Sequence, residues 1–208
     1  MEVYDAIYKR RTVRNFQDKK IDFDTIKKLL KAGLQAPTNN HMRQWEFVVI
    51  QDKEKRKKII EKIKKNVSKE DSINIVDNWG LIDNDQKEMY IDAIPKQYTM
   101  LLNAACLIIP FFRQSNSLLK PTSLSNLNSF ASIWCCIENI FIAAASEDIY
   151  GVTRIPFDEE IKHIKSILNV PVGYEFPCYI AIGYPLNDTI NFKQKKHTID
   201  EKIHLNNW

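Results

Sequence analysis

Ala36-Pro37-Thr38-Asn39-Asn40-His41-Met42-Arg43-Gln44-Trp45-Glu46-Phe47 leads from the end of a helix into the start of a strand. Before it, Ile26, Leu29, Leu30 and Gly33 line one side of a helical pattern that Asp22 can cap and Pro37 stops. The turn itself is polar, with Asn able to take unusual backbone angles and Thr, Asn and His able to hydrogen-bond. Phe47-Val48-Val49-Ile50 then reads as a brief buried strand, because β-branched and aromatic residues suit an enclosed pleated surface. Alone, this is an ordinary helix-to-strand loop.

Upstream, Val3, Ala6, Ile7 and Arg10 recur at helical spacing, with Glu2 and Asp5 where a helix N-terminus favours negative charge. Lys9-Arg10-Arg11-Thr12-Val13-Arg14 follows, a knot of fixed cations with one hydroxyl. Arginine suits phosphate because its planar fork donates in pairs and stays charged. The same cluster also reads as a solvated basic cap on a helix C-terminus.

Downstream, a helix is expected from Lys53 to Lys65, with Ile59, Ile60 and Ile63 inward and a Lys/Glu face outward. Residues 66–98 are polar and weakly patterned, which suggests irregular or short helical structure. Ala105-Cys106-Leu107-Ile108-Ile109 is a buried strand expected to stop near Pro110. The longest helix runs from about Asn128 to Glu147 and is apolar on nearly every side, so it belongs in the centre of the molecule or in a dimer interface. Gly151–Ile155 reads as a strand, Asp158 as the cap of a helix carrying Ile161, Ile164, Ile167 and Leu168 inward, and Tyr179–Ile182 as the last strand. The tail ends in Ile203, Leu205 and Trp208, too apolar to remain in water, and is expected to pack on something, a partner subunit among the candidates.

Two hundred and eight residues fit one domain, residues 1–208, with a core large enough to fold without disulfides or a metal. The 44% hydrophobic and 27% charged content excludes a disordered chain. A net charge of +4, with Lys and Glu interleaved and no aromatic platform, gives no case for nucleic acid. Cys106, Cys135, Cys136 and Cys178 lie in apolar surroundings without a CxxC pair and read as reduced core thiols, and the four histidines show no ligand spacing, so no metal is expected. The start lacks the blocks of a signal peptide and the apolar stretches look too short for a bilayer, which points to a soluble, cytoplasmic protein with no membrane partner. Five unclustered glycines leave no place for a GxGxxG fingerprint, so any phosphate must be held by side chains.

The pair formed by R-R-[ST]-x-R-x-F at Arg10–Phe16 and A-P-[ST], a polar turn and W-x-F-x-V at Ala36–Val49 is much more specific than either part. It resembles the nitroreductase family of flavoenzymes. The resemblance extends through Ile140–Ala145, Phe157-Asp158-Glu159-Glu160, Tyr179–Pro185 and the Lys-rich tail, and covers nearly the whole chain outside residues 66–98. It implies an α+β fold with a central mixed, mostly antiparallel sheet flanked by helices, an intertwined homodimer, and FMN in each interfacial cleft. It implies an NAD(P)H oxidoreductase working in ping-pong fashion through flavin N5 on a nitroaromatic, quinone or similar small acceptor, with no obligatory catalytic side chain.

Carried residue by residue, the resemblance places Arg10, Arg11, Thr12 and Arg14 at the FMN phosphate and the polar flavin edge, with Lys195 or Lys196 completing the clamp. Pro37, Thr38, Asn39 and Asn40 line the flavin from the neighbouring subunit, and Ser132 matches a frequent flavin contact. Arg154-Ile155-Pro156 falls where relatives offer successive backbone N–H groups to flavin N5 and O4; Pro156 has none, which leaves Ile155 as the N5 donor. Other departures are His41, Arg43 and Gln44, where many relatives have Asn, Gln and Pro, and tail lysines in place of an arginine fork. Competing readings are a same-fold enzyme of different chemistry (dehalogenase, azoline oxidase or flavin-destroying) and a non-catalytic flavin-binding or redox-sensing module. Tyr98, Phe130 and Trp134 are either substrate-facing aromatics or, as their apolar neighbours favour, core.

Overall fold

A computed structural model describes residues 1–190, 192, 193 and 195–208. The chain divides into two compact units, Met1–Asn66 with Lys96–Thr189, and Val67–Pro95 with Ile190–Trp208.

The first unit holds the sheet. Strands β1 (Trp45–Ile50), β2 (Cys106–Arg113), β3 (Tyr150–Arg154), β4 (Tyr174–Glu175) and β5 (Tyr179–Gly183) form one open sheet in the order β1-β2-β5-β3, with β4 beside the far end of β2. Among the described residues every strand pairing is antiparallel, and the parallel element is a single bridge between Thr12 and Gly151. The α+β expectation therefore holds, with less parallel character than a mixed sheet implies.

Strand β2 runs through Pro110 instead of stopping there. Arg113 N–H donates to Gln44, so by strand alternation the Pro110 nitrogen points the other way, toward β5 and β4. On that side β5 pairs only Cys106–Ile108 and β4 only Phe112 and Arg113, so no ladder bond is lost for want of a donor.

Helices cover both faces. Helix α2 (Phe23–Gly33) begins at Asp22, whose carboxylate accepts from Thr25 N–H at 2.7 Å, and packs on α7 (Asn128–Ser146). Ile133, Cys136, Ile137 and Ile140 of α7 join Ile26, Leu29, Ile108 and Ile180 in one core layer. On the opposite face, α3 (Lys53–Ile59), α6 (Thr99–Leu102) and α8 (Asp158–Ile167) bring Ile59, Ile60, Ile63, Leu101 and Ile164 against Leu107, Ile109 and Ala181. Helix α3 is shorter than expected, although the three isoleucines are buried as foreseen. In α8 the cap position is Phe157, not Asp158, and Ile167 is exposed.

Leu124–Ser146 is 23 residues long and holds an 18-residue window of mean hydropathy 1.4, long and apolar enough to cross a membrane, contrary to the expectation from sequence. Only a third of that window is buried inside the chain; α7 lays one face on α2 and the sheet and leaves Ala131 and Cys135 exposed.

In the second unit, the stretch expected to be weakly structured forms α4 (Lys69–Asn78) and α5 (Asn84–Ala93), started by a reciprocal Ser68–Asp71 capping box and by Asp83. Trp79 meets Tyr90 edge-on at 5.1 Å. In the tail, Ile203, Leu205 and Trp208 are exposed and Trp208 stacks on His204.

Cys106, Cys136 and Cys178 are buried and Cys135 is exposed, which corrects the reading of four core thiols. Burial pushes the Cys106 and Cys136 thiols up to about 12 and Cys178 higher still. Since the thiolate is the nucleophile, these three are expected to stay unmodified by a thiol reagent at pH 8 until denaturant is added. Rapid labelling of all four in native protein would contradict the packing.

Candidate functional site

The N-terminal cationic segment is laid along the outer edge of β3. Val13 N–H donates to the Gly151 carbonyl at 3.0 Å and Thr12 bridges the same residue. Farther along, Gln17 N–H donates to Tyr184 O at 2.8 Å and Leu186 N–H to Asn15 O at 3.2 Å, which ties the segment to the end of β5. Val13 and Phe16 are buried, while Arg11 and Thr12 are exposed.

The arginines differ in commitment. Arg10 pairs with Glu138 of α7 at 3.1 Å, both partly exposed. Arg11 has no hydrogen-bond or ion-pair partner among the described residues. Arg14 is half-buried and engaged.

Ile155 follows the last residue of β3 and is exposed. Because the Gly151 carbonyl faces Val13, strand alternation directs the N–H groups of Thr153 and Ile155 to that same open edge, away from β5. Four residues of strand separate Gly151 from Ile155, about 13 Å at the usual rise.

Arg154 is turned the other way. Its side chain is 5% exposed, its Nε donates to Gln97 Oε1 at 2.7 Å, and its two terminal nitrogens form a bidentate pair with Glu160. Its side chain is committed to the core and its own N–H and carbonyl face β5, so at the open edge this corner offers the Ile155 N–H. Ser132 is buried on α7, and its hydroxyl donates to Asn128 O at 2.7 Å, so it has acceptor capacity alone to offer.

The Pro37–Asn40 turn lies elsewhere. Pro37, Asn39 and Asn40 are exposed; Thr38 is half-buried with its Oγ1 enclosed and unpartnered. Asn40 Oδ1 accepts from Met42 N–H at 3.1 Å, and His41 and Arg43 hold positive φ of 56° and 43°. This loop feeds β1, whose start shares an end of the sheet with the finish of β3, but β1 and β3 are opposite edges, three strand spacings or about 14 Å apart. Lys195 and Lys196 are exposed residues of the second unit. Tyr98 is core, while Phe130 and Trp134 are half-buried and meet edge-on at 6.1 Å. A cleft of about 560 Å³ lined by Lys62, Pro156, Phe157, Asp158, Glu159 and Glu160 lies beside the Ile155 turn and includes none of the arginines of the N-terminal segment.

The fold and these placements define an α+β protein with a cationic segment laid along its outer sheet edge. The chain belongs to the nitroreductase family, whose model matches residues 7–184. Protein DrgA of Synechocystis is 27% identical over 90% of this chain and 86% of its own, and a putative NADH dehydrogenase/NAD(P)H nitroreductase of Archaeoglobus fulgidus is 24% identical over 100% and 99%. Iodotyrosine deiodinase 1 of Sus scrofa is 26% identical over 88% of this chain and 61% of its own. Among solved structures, a putative NADH oxidase of Clostridium acetobutylicum superimposes with a TM-score of 0.68 at 24% identity, covering 98% and 99% of the two chains. An iodotyrosine deiodinase bound to FMN and 3-iodo-L-tyrosine superimposes with 0.74 at 18%, covering the whole of both.

Proposed function

We propose that this protein is a cytoplasmic FMN-dependent NAD(P)H oxidoreductase that works as a homodimer, a single nitroreductase-like domain in each subunit. The observation that carries the reading is the Thr12–Gly151 bridge. It sets unpaired Arg11 and the Thr12 hydroxyl on the same strand edge as the Ile155 N–H, about 13 Å away, the layout suited to an anionic group joined by a flexible chain to a ring. The donor set fits FMN: fixed cations and a hydroxyl for phosphate, a backbone N–H for a ring nitrogen. Bound FMN would supply the hydride chemistry between a nicotinamide donor and a small acceptor.

The chain's own part is binding, orientation and charge. Arg10, Arg11, Thr12 and Arg14 would hold the phosphate, and the main chain at Arg154-Ile155 the ring edge. Lys195 and Lys196 are carried over from the family resemblance alone as candidates to add charge.

Pro37, Thr38, Asn39 and Asn40 sit at the opposite sheet edge, so their role requires the same turn from a second copy. Val3, Tyr4, Ile7 and Tyr8 of α1 (Val3–Lys9) and the outer side of α7 form an exposed apolar face that a second copy would cover. Ser132 remains a candidate contact as an acceptor.

Arg11→Ala removes an exposed side chain without a partner, so the fold is expected to stand while FMN affinity falls about 10- to 100-fold, one charge-assisted bond to phosphate. Flavin fluorescence quenching measures this, and unchanged affinity would remove the assigned role. The wild type should take up FMN, be bleached by NADH or NADPH, and sediment at twice 24.4 kDa. The likeness to iodotyrosine deiodinases, including the TM-score of 0.74, favours reductive dehalogenation as the second reading. Reoxidation by a halophenol but not by a nitroaromatic or quinone would select it.

A further inference from the structure

We propose that the buried Arg154–Glu160 pair is a positioning device that fixes the peptide at Ile155, and with it the N–H offered at the β3 edge. This rests on the flavin reading above. Arg154 closes β3 and Glu160 lies in the first turn of α8, so the pair spans the Ile155-Pro156-Phe157 corner and ties its two ends together. Both side chains are about 95% enclosed. The Arg154 fork grips both Glu160 oxygens, its Nε is held by Gln97 at 2.7 Å, and one terminal nitrogen also lies 3.4 Å from the Ile155 carbonyl. That last contact holds the Ile155–Pro156 peptide, one Cα beyond the Arg154–Ile155 peptide that carries the N–H in question. Pro156 adds a fixed φ on the far side of that Ile155–Pro156 peptide, so both flanks of Ile155 are restrained.

The rings of Phe157 and Tyr179 each lie 5.7 Å from the Arg154 guanidinium. A buried pair is a poor way to gain stability, since desolvation offsets the attraction, but it admits few geometries. It also carries no net charge, so its effect on a ligand at the edge is through the placement of the N–H.

Two variants test this, with Ile164→Val as a control that loosens α8 at a core position away from the corner. Glu160→Gln keeps the shape but turns one acceptor into a donor facing Arg154; Arg154→Lys keeps the charge and loses the fork, and reports if the first does not fold. FMN affinity by fluorescence quenching and the visible spectrum of the bound flavin are read alongside thermal melting. The expected result is affinity about tenfold weaker and a shifted flavin spectrum in the Arg154 and Glu160 variants, with Ile164→Val lowering the melting temperature but leaving both flavin readouts unchanged. Variants that lose stability yet bind FMN with wild-type affinity and spectrum overturn the positioning role. A wild type that takes up no FMN overturns the flavin reading beneath it instead.

Discussion

Glu160→Ala is expected to lower the unfolding free energy by about 3–5 kcal/mol, because it strands the Arg154 guanidinium in an apolar enclosure. The flanking groups cannot compensate: Gln97 already accepts from Nε, and the Tyr179 hydroxyl, buried with no hydrogen-bond partner among the described residues, is a neutral group. Burial foremost, then the negative charge of Glu160, pushes the Tyr179 hydroxyl up, and since burial persists when Glu160 is removed the hydroxyl is expected to stay protonated near neutral pH. The same truncation at an exposed pair, Glu54→Ala opposite Lys57, should leave stability unchanged within error, since water and salt screen that contact. Replacing Arg154 and Glu160 together by Met and Leu should lose less than the single change, because no charge is left behind. Urea unfolding of the three variants measures all of this. A Glu160→Ala protein as stable as the wild type would mean that the pair is solvated.

What the sequence disclosed and what it withheld divide along local and non-local physics. Asp22, the α7 pattern and the β-branched runs are signals contained within a few residues, and each yields its element. The Ser68–Asp71 capping box is equally local; its Asn- and Asp-rich neighbours obscured it, although S-x-x-D before Ile73 and Val76 is a readable start signal. Pro110 misled because a missing N–H matters only if a partner strand is opposite, and that depends on where β4 and β5 end. Arg56 sits in a Lys/Glu-rich helix expected to be solvated, yet it is buried and donates to Ala104 O across 48 residues, a partner that no window reveals. Burial lowers its pKa.

The candidate site follows the same division. Arginine chemistry at Arg10–Arg14 is legible as a composition, but its place beside β3 is set by the Gly151 carbonyl 138 residues away. Arg154 reads as one more cation near the flavin edge until Glu160, six residues on in the first turn of α8, is seen to hold it in the core. That the Pro37–Asn40 turn and the arginine segment occupy opposite sheet edges follows from strand order alone, and strand order is what short apolar runs leave open.

Gly151→Ala is expected to be the most damaging of the small glycine replacements, because the new methyl has nowhere to go. Its Cβ would stand 2.3 Å from the Ala181 carbonyl oxygen, with Ile182 Cγ2 and Phe141 Cε1 each at 2.9 Å. The first of these is main chain of the paired strand, held in register by Gly151–Ile182 and Val152–Ala181, so relief requires β3 to part from β5. Retreat outward is also closed, since Val13 donates to the Gly151 carbonyl from that side. At Gly183 the intruding methyl meets chiefly the Phe16 ring at 2.8 Å, and at Gly33 the tip of Ile140 at 2.6 Å; both are side chains able to turn, and Gly33 would gain helix propensity in return. Overpacking of this kind usually costs about 1–3 kcal/mol, and the backbone clash puts Gly151→Ala at or above the top of that range with the other two below it. Urea midpoints of the three variants give the order. Because β3 also carries the Thr12 bridge, displacing it should loosen FMN even where the protein still folds, whereas Gly33→Ala, in the α2–α7 contact, should bind FMN as the wild type does. A Gly151→Ala protein matching Gly33→Ala in both stability and flavin affinity would show that the sheet edge yields freely, and an edge that yields freely would not hold the arginines and the Ile155 N–H at a fixed spacing.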